Sequence, residues 1–164
     1  MIIMNYGLHW NRDEIHWGGR GRGNAGDLLG RLAIRVNSPE VDFRQQSGIY
    51  VLQDRFNPVY IGQTGSGAGN RMFNRLKSHT QNHLAERWDR FSWFGIARVE
   101  NGVLVPTDDH NVTTTVRHVL DHVEGVLISI TEPALNRQGA RFGEAEQYVQ
   151  IGLDDDEEDD LVEE

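Results

Sequence analysis

The chain has 164 residues, of which 38% are hydrophobic, and it carries a formal net charge of −9. This length supports one domain with a core rather than two independent domains, and no segment approaches the roughly 20 apolar residues that a membrane-spanning helix needs. The chain contains no cysteine, which excludes disulfides, thiolate zinc sites and cysteine nucleophiles, and we expect a cytoplasmic protein without a membrane partner.

The negative charge is concentrated at the C-terminus. Residues 154–164 hold nine of the 25 acidic residues and no basic one, which leaves 16 acidic against 16 basic residues in the rest of the chain. Fifteen of these bases are arginines, whose planar guanidinium can contact two phosphate oxygens at once. The acidic tail repels itself and cannot bury apolar area, so we predict that it is disordered and available to a basic partner.

Residues 1–47 are rich in glycine, arginine and tryptophan and show no sustained period of 2 or 3.6. We predict an irregular N-terminal extension packed on the domain. The alternating Gly-Arg residues at 18–23 have two interpretations. They could lie along a nucleic-acid backbone while nearby tryptophans stack on bases, or they could form a surface loop whose tryptophans pack on the domain.

Two short strands are predicted next, at 48–53 and 58–63, because β-branched and aromatic residues cluster there around a turn-forming segment at 54–58. The loop at 64–69 lacks the Gly-Lys-Ser/Thr of a phosphate-binding P-loop. A third strand is predicted at 91–99. The pattern thus indicates a hairpin and a small antiparallel sheet.

Two helices complete the prediction. Asn70 can cap a helix running to about Trp88, on which residues four apart project from one side. From about Val112 to Pro133, apolar residues recur at three and four positions, which is typical of an amphipathic helix, with Glu124 at the edge of its buried stripe. We predict an α/β (α+β) domain over residues 48–153, with a small, mostly antiparallel three-stranded sheet flanked by helices.

An ordered set of motifs spans about residues 48–136: Gly48-Ile49-Tyr50, Tyr60-Ile61-Gly62, Arg75-Leu76-x-x-His79, Glu124 and Pro133-Ala134-Leu135-Asn136. In kind and order this set resembles the GIY-YIG nuclease family. The resemblance implies a GIY-YIG-like fold and a divalent-metal-dependent endonuclease that hydrolyses phosphodiester bonds, with DNA as the expected partner. It leaves open whether the role is DNA processing or defence against foreign DNA.

The resemblance also implies roles for the site residues. Glu124 would hold a Mg²⁺ or Mn²⁺ ion, for which one carboxylate and several waters suffice. Arg75 would stabilise charge on the scissile phosphate. Tyr50 would help to deprotonate the attacking water, which a phenol of pKa about 10 does poorly without a partner such as His79. Tyr60 would orient water or phosphate.

Five further residues complete the predicted site. Arg71 precedes Arg75 by four positions and could face the same cleft, where we predict that it binds substrate together with Lys77. Gly48 and Gly62 are predicted to be structural, because they allow close approach of the strands. The last motif residue, Asn136, would brace the site, although asparagine after a proline is also ordinary turn chemistry.

Two alternatives remain beside this interpretation. The pairs His79/His83 and His118/His122 have the i,i+4 spacing of a helical zinc motif, but neither contains its glutamate. The domain could also bind nucleic acid or protein without cleavage, regulated by the acidic tail.

Overall fold

The computed structural model describes residues 2–64, 67–105, 115–132 and 142–153. Within these ranges the strands are, in chain order, β1 (Asn5–Asn11), β2 (Leu29–Leu32), β3 (Val41–Asp42), β4 (Gly48–Asp54), β5 (Asn57–Gln63), β6 (Arg90–Gly95), β7 (Arg98–Glu100), β8 (Val103–Val105) and β9 (Glu146–Gln150). The helices are α1 (Met72–His79) and α2 (Val116–Thr131). No described helix is both long and apolar enough to cross a bilayer.

The predicted three-stranded sheet flanked by helices is wrong. The described residues form a seven-stranded mixed sheet in the order β3-β2-β9-β1-β6-β4-β5, a separate two-stranded sheet β7-β8, and two helices. The larger sheet is mixed because β1 pairs in parallel with β9 and antiparallel with β6. The strands predicted at 48–53 and 58–63 correspond to β4 and β5, whereas the one predicted at 91–99 divides into β6 and β7. They account for only one edge of the sheet.

The first strand shows why residues 1–47 gave no periodic signal. β1 lies near the middle of the sheet, and Trp10 at its end is 2% exposed and packs against Phe43, Phe91 and Trp93. Its pairing with β6 shifts register between Gly7 and Trp10, at a β-bulge. A bulge interrupts the alternation of side chains between the two faces. The predicted irregular extension is therefore wrong where β1, β2 and β3 lie.

The predicted hairpin of β4 and β5 is confirmed. Its two-residue turn, Arg55 and Phe56, has φ values of 47° and 77°, as in the tight turns whose twist matches that of paired strands. The Arg55 N–H donates to Oδ1 of Asp89 at 3.0 Å, and the Phe56 ring lies 4.9 Å from the Arg90 guanidinium. These contacts offset the steric cost of positive φ at residues other than glycine.

Two apolar cores lie on opposite faces of the sheet. Successive residues of a strand point to opposite faces, and on β4 Tyr50 and Leu52 join the core that contains Leu76 of α1. Val51, between them, joins the core that contains Ile130 of α2. The helices therefore pack on opposite faces of the sheet.

The second helix is found where it was predicted, but its buried side is different. The buried residues of α2 are His122, Gly125, Ser129 and Ile130. The apolar stripe of the sequence pattern is exposed, at Val116, Val119, Leu120, Val123 and Leu127. Small residues let the helix backbone approach the sheet, and His122 accepts the Ile3 N–H at 3.1 Å. An amphipathic pattern shows that a helix has an apolar side but does not show what covers it.

The first helix is shorter than predicted. It ends at His79 rather than at about Trp88. Thr80 N–H donates to the Lys77 carbonyl at 3.0 Å, and the Trp88 indole N–H donates to the His79 carbonyl at 3.1 Å. Since the last carbonyls of a helix have no partner within it, these contacts stabilise the end of α1 at this point.

Candidate functional site

Two tyrosines from adjacent strands share one face of the sheet. Tyr50 of β4 lies directly opposite Gly62 of β5, and Leu52 lies opposite Tyr60. Directly paired residues project from the same face, so Tyr60 is the diagonal neighbour of Tyr50. Their ring centroids are 6.3 Å apart. Tyr50 is fully buried, whereas Tyr60 is partly exposed.

The motif glycines make room for this arrangement. A Cβ atom at Gly62 would collide with the hydroxyl and the ring of Tyr50. Gly48 has φ of 152°, and a Cβ atom there would collide with the Phe94 carbonyl of the neighbouring strand. Both positions therefore require glycine for close approach, as the sequence predicted. The constraint at Gly62 is specific to the site, because the atoms it accommodates belong to Tyr50.

The last residue of α1 contacts both tyrosines. His79 Nε2 lies 2.8 Å from Tyr50 Oη, within hydrogen-bond distance. Its ring centroid is 4.9 Å from that of Tyr60. The histidine is 5% exposed. The pairing of Tyr50 with His79 that the resemblance implied is thus present as a buried hydrogen bond.

Arg75 lies one turn before His79 on the same side of α1. Its hydrogen bond and its charge both lower the pKa of Tyr50, and its charge also lowers the pKa of His79. The Arg75 Nε is buried and has no hydrogen-bond partner among the described residues. A buried guanidinium donor without an acceptor is costly.

The cluster of Tyr50, Tyr60, Arg75 and His79 is a cationic site at neutral pH. Burial raises the pKa of Tyr50 more than the hydrogen bond and charge of Arg75 lower it. Burial lowers the pKa of His79, and the Arg75 charge lowers it further. Tyr50 is therefore a neutral phenol and His79 a neutral imidazole, which leaves Arg75 as the charge of the cluster. Such a site favours an anion.

The two residues predicted to bind substrate lie at different places. Arg71 is the N-cap of α1, and its guanidinium donates a hydrogen bond to the Ser47 hydroxyl. Lys77 lies with its ammonium 5.9 Å from the centroid of the Phe73 ring. Residues 75 and 77 are about 200° apart around a helix, so Lys77 flanks α1 on the side away from the tyrosines.

The structure does not bring Glu124 to this cluster. Glu124 is exposed on α2, and α2 packs on the face of the sheet opposite to α1. The last motif residue, Asn136, lies outside the described residues, as does the acidic tail at 154–164.

The cluster offers little to a metal ion. The described parts of the chain contain no group of three or more His, Asp, Glu or Cys side chains that could hold a metal ion. The four cluster residues include no carboxylate, and a guanidinium disfavours a second cation nearby. The described residues of the cluster therefore do not fit Mg²⁺ or Mn²⁺.

Two residues that the sequence analysis did not identify support His79. Asn82 Nδ2 lies 3.0 Å from His79 Nδ1, and Trp88 donates to the His79 carbonyl. The predicted continuation of α1 through both positions concealed them. Asparagine is favoured in turns by its local hydrogen bonding. Asn82 itself was therefore a sequence signal that the helix ends before residue 82.

Comparisons of the chain with protein-family models, curated proteins and solved structures found no significant match. The family resemblance therefore depends on the motif residues alone.

Proposed function

We propose that the chain is a GIY-YIG-type endonuclease that hydrolyses phosphodiester bonds in DNA. The observation that carries the proposal is the convergence of Tyr50, Tyr60, Arg75 and His79, residues of two strands and a helix. Phosphodiester hydrolysis requires a positioned water and positive charge against the charge that develops on phosphorus. The cluster offers both kinds of group within a few ångströms of one another.

Arg75 has the clearest role in this proposal. Arg75 is partly exposed, so its guanidinium can donate to a phosphate oxygen, and its charge opposes the negative charge of the transition state. Tyr50 and Tyr60 orient the attacking water or a second phosphate oxygen by hydrogen bonding. Since burial raises the pKa of Tyr50, removal of its proton at neutral pH requires positive charge in addition to Arg75.

The surface around the cluster suits a polyanion. Helix α1 contains Arg75 and Lys77 and no acidic residue. On its far side, Trp17 packs on Phe73 with ring centroids 5.6 Å apart, and the chain beyond Trp17 carries exposed Arg20 and Arg22. A nucleic-acid strand that crosses α1 would meet basic side chains on both sides of the helix. DNA rather than RNA, and a cytoplasmic location, stay predictions.

A second candidate is nucleic-acid binding without cleavage. One observation favours it: Glu124, the metal ligand that the resemblance implies, is exposed on the face of the sheet away from the cluster. In this case the cluster would hold a phosphate and leave the bond intact. Both candidates require Arg75 for binding, and only the first cleaves the bond.

The test is incubation of the full chain with supercoiled plasmid, single-stranded DNA and single-stranded RNA, in Mg²⁺, Mn²⁺ or EDTA. We expect cleavage with the metal ions that falls by about 10²- to 10³-fold in Arg75→Ala, the typical loss for one transition-state donor. Arg87→Ala, at an exposed arginine after α1, is the matched control and should cleave like the wild type.

The results for the wild type, Arg75→Ala and Glu124→Gln distinguish the candidates. Binding without cleavage in any metal favours the second one. Cleavage of equal rate in wild type and Arg75→Ala would contradict the proposed role of the cluster. Glu124→Gln tests the metal ligand: loss of metal-dependent cleavage supports the resemblance, and full activity removes Glu124 from the site.

A further inference from the structure

The turn after α1 holds the Asn82 side chain in one orientation. The Leu84 backbone N–H donates to Asn82 Oδ1 at 2.9 Å. A local bond of an asparagine oxygen to the N–H two residues on is a common turn geometry. Because only an acceptor can meet a backbone N–H, this bond distinguishes the oxygen of the amide from its nitrogen. The nitrogen of Asn82 is therefore the atom that faces His79.

This orientation determines which nitrogen of His79 carries the proton. Asn82 Nδ2 lies 3.0 Å from His79 Nδ1. An amide nitrogen carries two hydrogens and does not accept, so Nδ1 must be the acceptor and must be unprotonated. A neutral imidazole has one N–H. The proton of His79 is therefore on Nε2.

His79 Nε2 is the atom 2.8 Å from Tyr50 Oη. We propose that Asn82 is a positioning residue that holds His79 with its proton on Nε2, so that His79 donates a hydrogen bond to Tyr50 instead of accepting the Tyr50 proton. As far as it concerns a reaction, this inference rests on the function proposed above. The assignment of the His79 proton stands independently of it.

Reversing the Asn82 side-chain amide would have two unfavourable consequences. A reversed Asn82 amide would present its oxygen to Nδ1 as an acceptor and favour a protonated ring, but it would turn its nitrogen toward the Leu84 N–H. The Leu84 bond would be lost, and two donors would face each other. A donor left unsatisfied in a buried place is costly.

The charged and titratable neighbours of His79 agree with a neutral ring. Burial and the Arg75 charge lower its pKa, and His83, on the turn after α1, lowers it as well. Tyr50 from β4 and Tyr60 from β5 are the titratable groups that face it across the sheet. None of these neighbours is a carboxylate that would favour an imidazolium.

The arrangement changes the part that His79 can play in hydrolysis. Two donors, His79 Nε2–H and the Arg75 guanidinium, act on the Tyr50 oxygen. Both occupy lone pairs of that oxygen, so the Tyr50 hydroxyl keeps its own proton to donate to the water or phosphate oxygen that it orients. His79 keeps its one proton throughout and serves as a hydrogen-bond donor.

The assignment is tested on the ¹⁵N-labelled full chain by long-range ¹H–¹⁵N correlation spectra above pH 7. The His79 signals are identified by their absence in His79→Asn. We expect a protonated Nε2 and a bare Nδ1 in the wild type and in the control Gln81→Ala, at an exposed residue beside Asn82. A wild-type spectrum with the proton on Nδ1 would overturn the proposal.

Variants of Asn82 test its causal role. In Asn82→Asp the carboxylate accepts from Nδ1, so the proton should move to Nδ1 and the pKa of His79 should rise. Asn82→Ala removes the donor without adding charge, and both tautomers should appear. An unchanged tautomer in Asn82→Ala would show that Asn82 does not set it, whether or not Asn82→Asp folds.

Cleavage assays extend the test to the reaction. For Asn82→Asp we expect kcat to fall by about 10-fold or more, with the acid limb of the pH profile shifted upward and KM unchanged. A switched tautomer with unchanged kcat would refute the role in hydrolysis. Absence of cleavage in the wild type would refute the proposed function and leave the tautomer result valid.

Discussion

Substitution of Gly62 by alanine tests the packing that places Tyr50 in the cluster. A Cβ atom at residue 62 would collide with both the hydroxyl and Cζ of Tyr50. Tyr50 cannot move aside freely, because it is fully buried and its hydroxyl is bonded to His79. The strain must therefore displace the Tyr50 ring or separate β4 from β5.

The expected loss of stability combines two effects. Overpacking of a filled core costs about 1–3 kcal/mol, and displacement of the Tyr50 hydroxyl from His79 adds about 1 kcal/mol for the hydrogen bond. We expect Gly62→Ala to lower the free energy of unfolding by about 2–4 kcal/mol. Gly69→Ala is the control: its added Cβ meets no atom within 4 Å, and its effect should stay within about 1 kcal/mol.

A double-mutant cycle with Tyr50→Leu isolates the contact. Once the tyrosine ring is absent, the alanine at 62 has room, so the two substitutions together should cost about 1–3 kcal/mol less than the sum of each alone. Urea denaturation followed by tryptophan fluorescence and circular dichroism measures all four proteins. Additive effects, or a Gly62→Ala effect no larger than that of Gly69→Ala, would refute the reasoning.

Two further predictions concern the pH dependence of stability and the first strand. The pKa of His79 is lowered by burial and by Arg75, so the unfolded chain takes up its proton first as the pH falls below about 6.5, and the free energy of unfolding decreases. His79→Asn should flatten this decrease in urea titrations between pH 5 and 8, and an equal slope would contradict it. Trp10→Ala should cost about 3–5 kcal/mol, the range for a buried aromatic residue, whereas Trp17→Ala, at a partly buried residue, should cost less. Equal effects in thermal melts would show that β1 is not central to the core.

Local interactions explain which elements could be predicted. The β4–β5 hairpin depends on β-forming residues and on a turn between them, all within residues 48–63. The spacing of Arg75 and His79 predicted their shared side of α1, and the motif glycines predicted close strand approach. The cluster was foreseeable to this extent, because the hairpin and one helical turn supply all four of its residues.

The sheet beyond β6 was not predictable in the same way. β1 pairs with β9 across more than 130 residues, and a bulge removes the alternation from β1 itself. Long-range pairing leaves no local pattern, and the irregular register hides the one that a strand usually shows. The predicted three-stranded sheet failed for this reason.

The sequence alone thus determined the hairpin, the existence of both helices and the residue types of the cluster, since these depend on neighbours along the chain. Tertiary structure decided that α2 buries its small and polar side, which leaves Glu124 away from the tyrosines. It also decided that α1 ends at His79, because the Trp88 indole and the backbone N–H groups of Thr80 and Gln81 satisfy the carbonyls at that end. Both outcomes depend on which surfaces meet across the sheet, and one-dimensional periodicity does not contain that information.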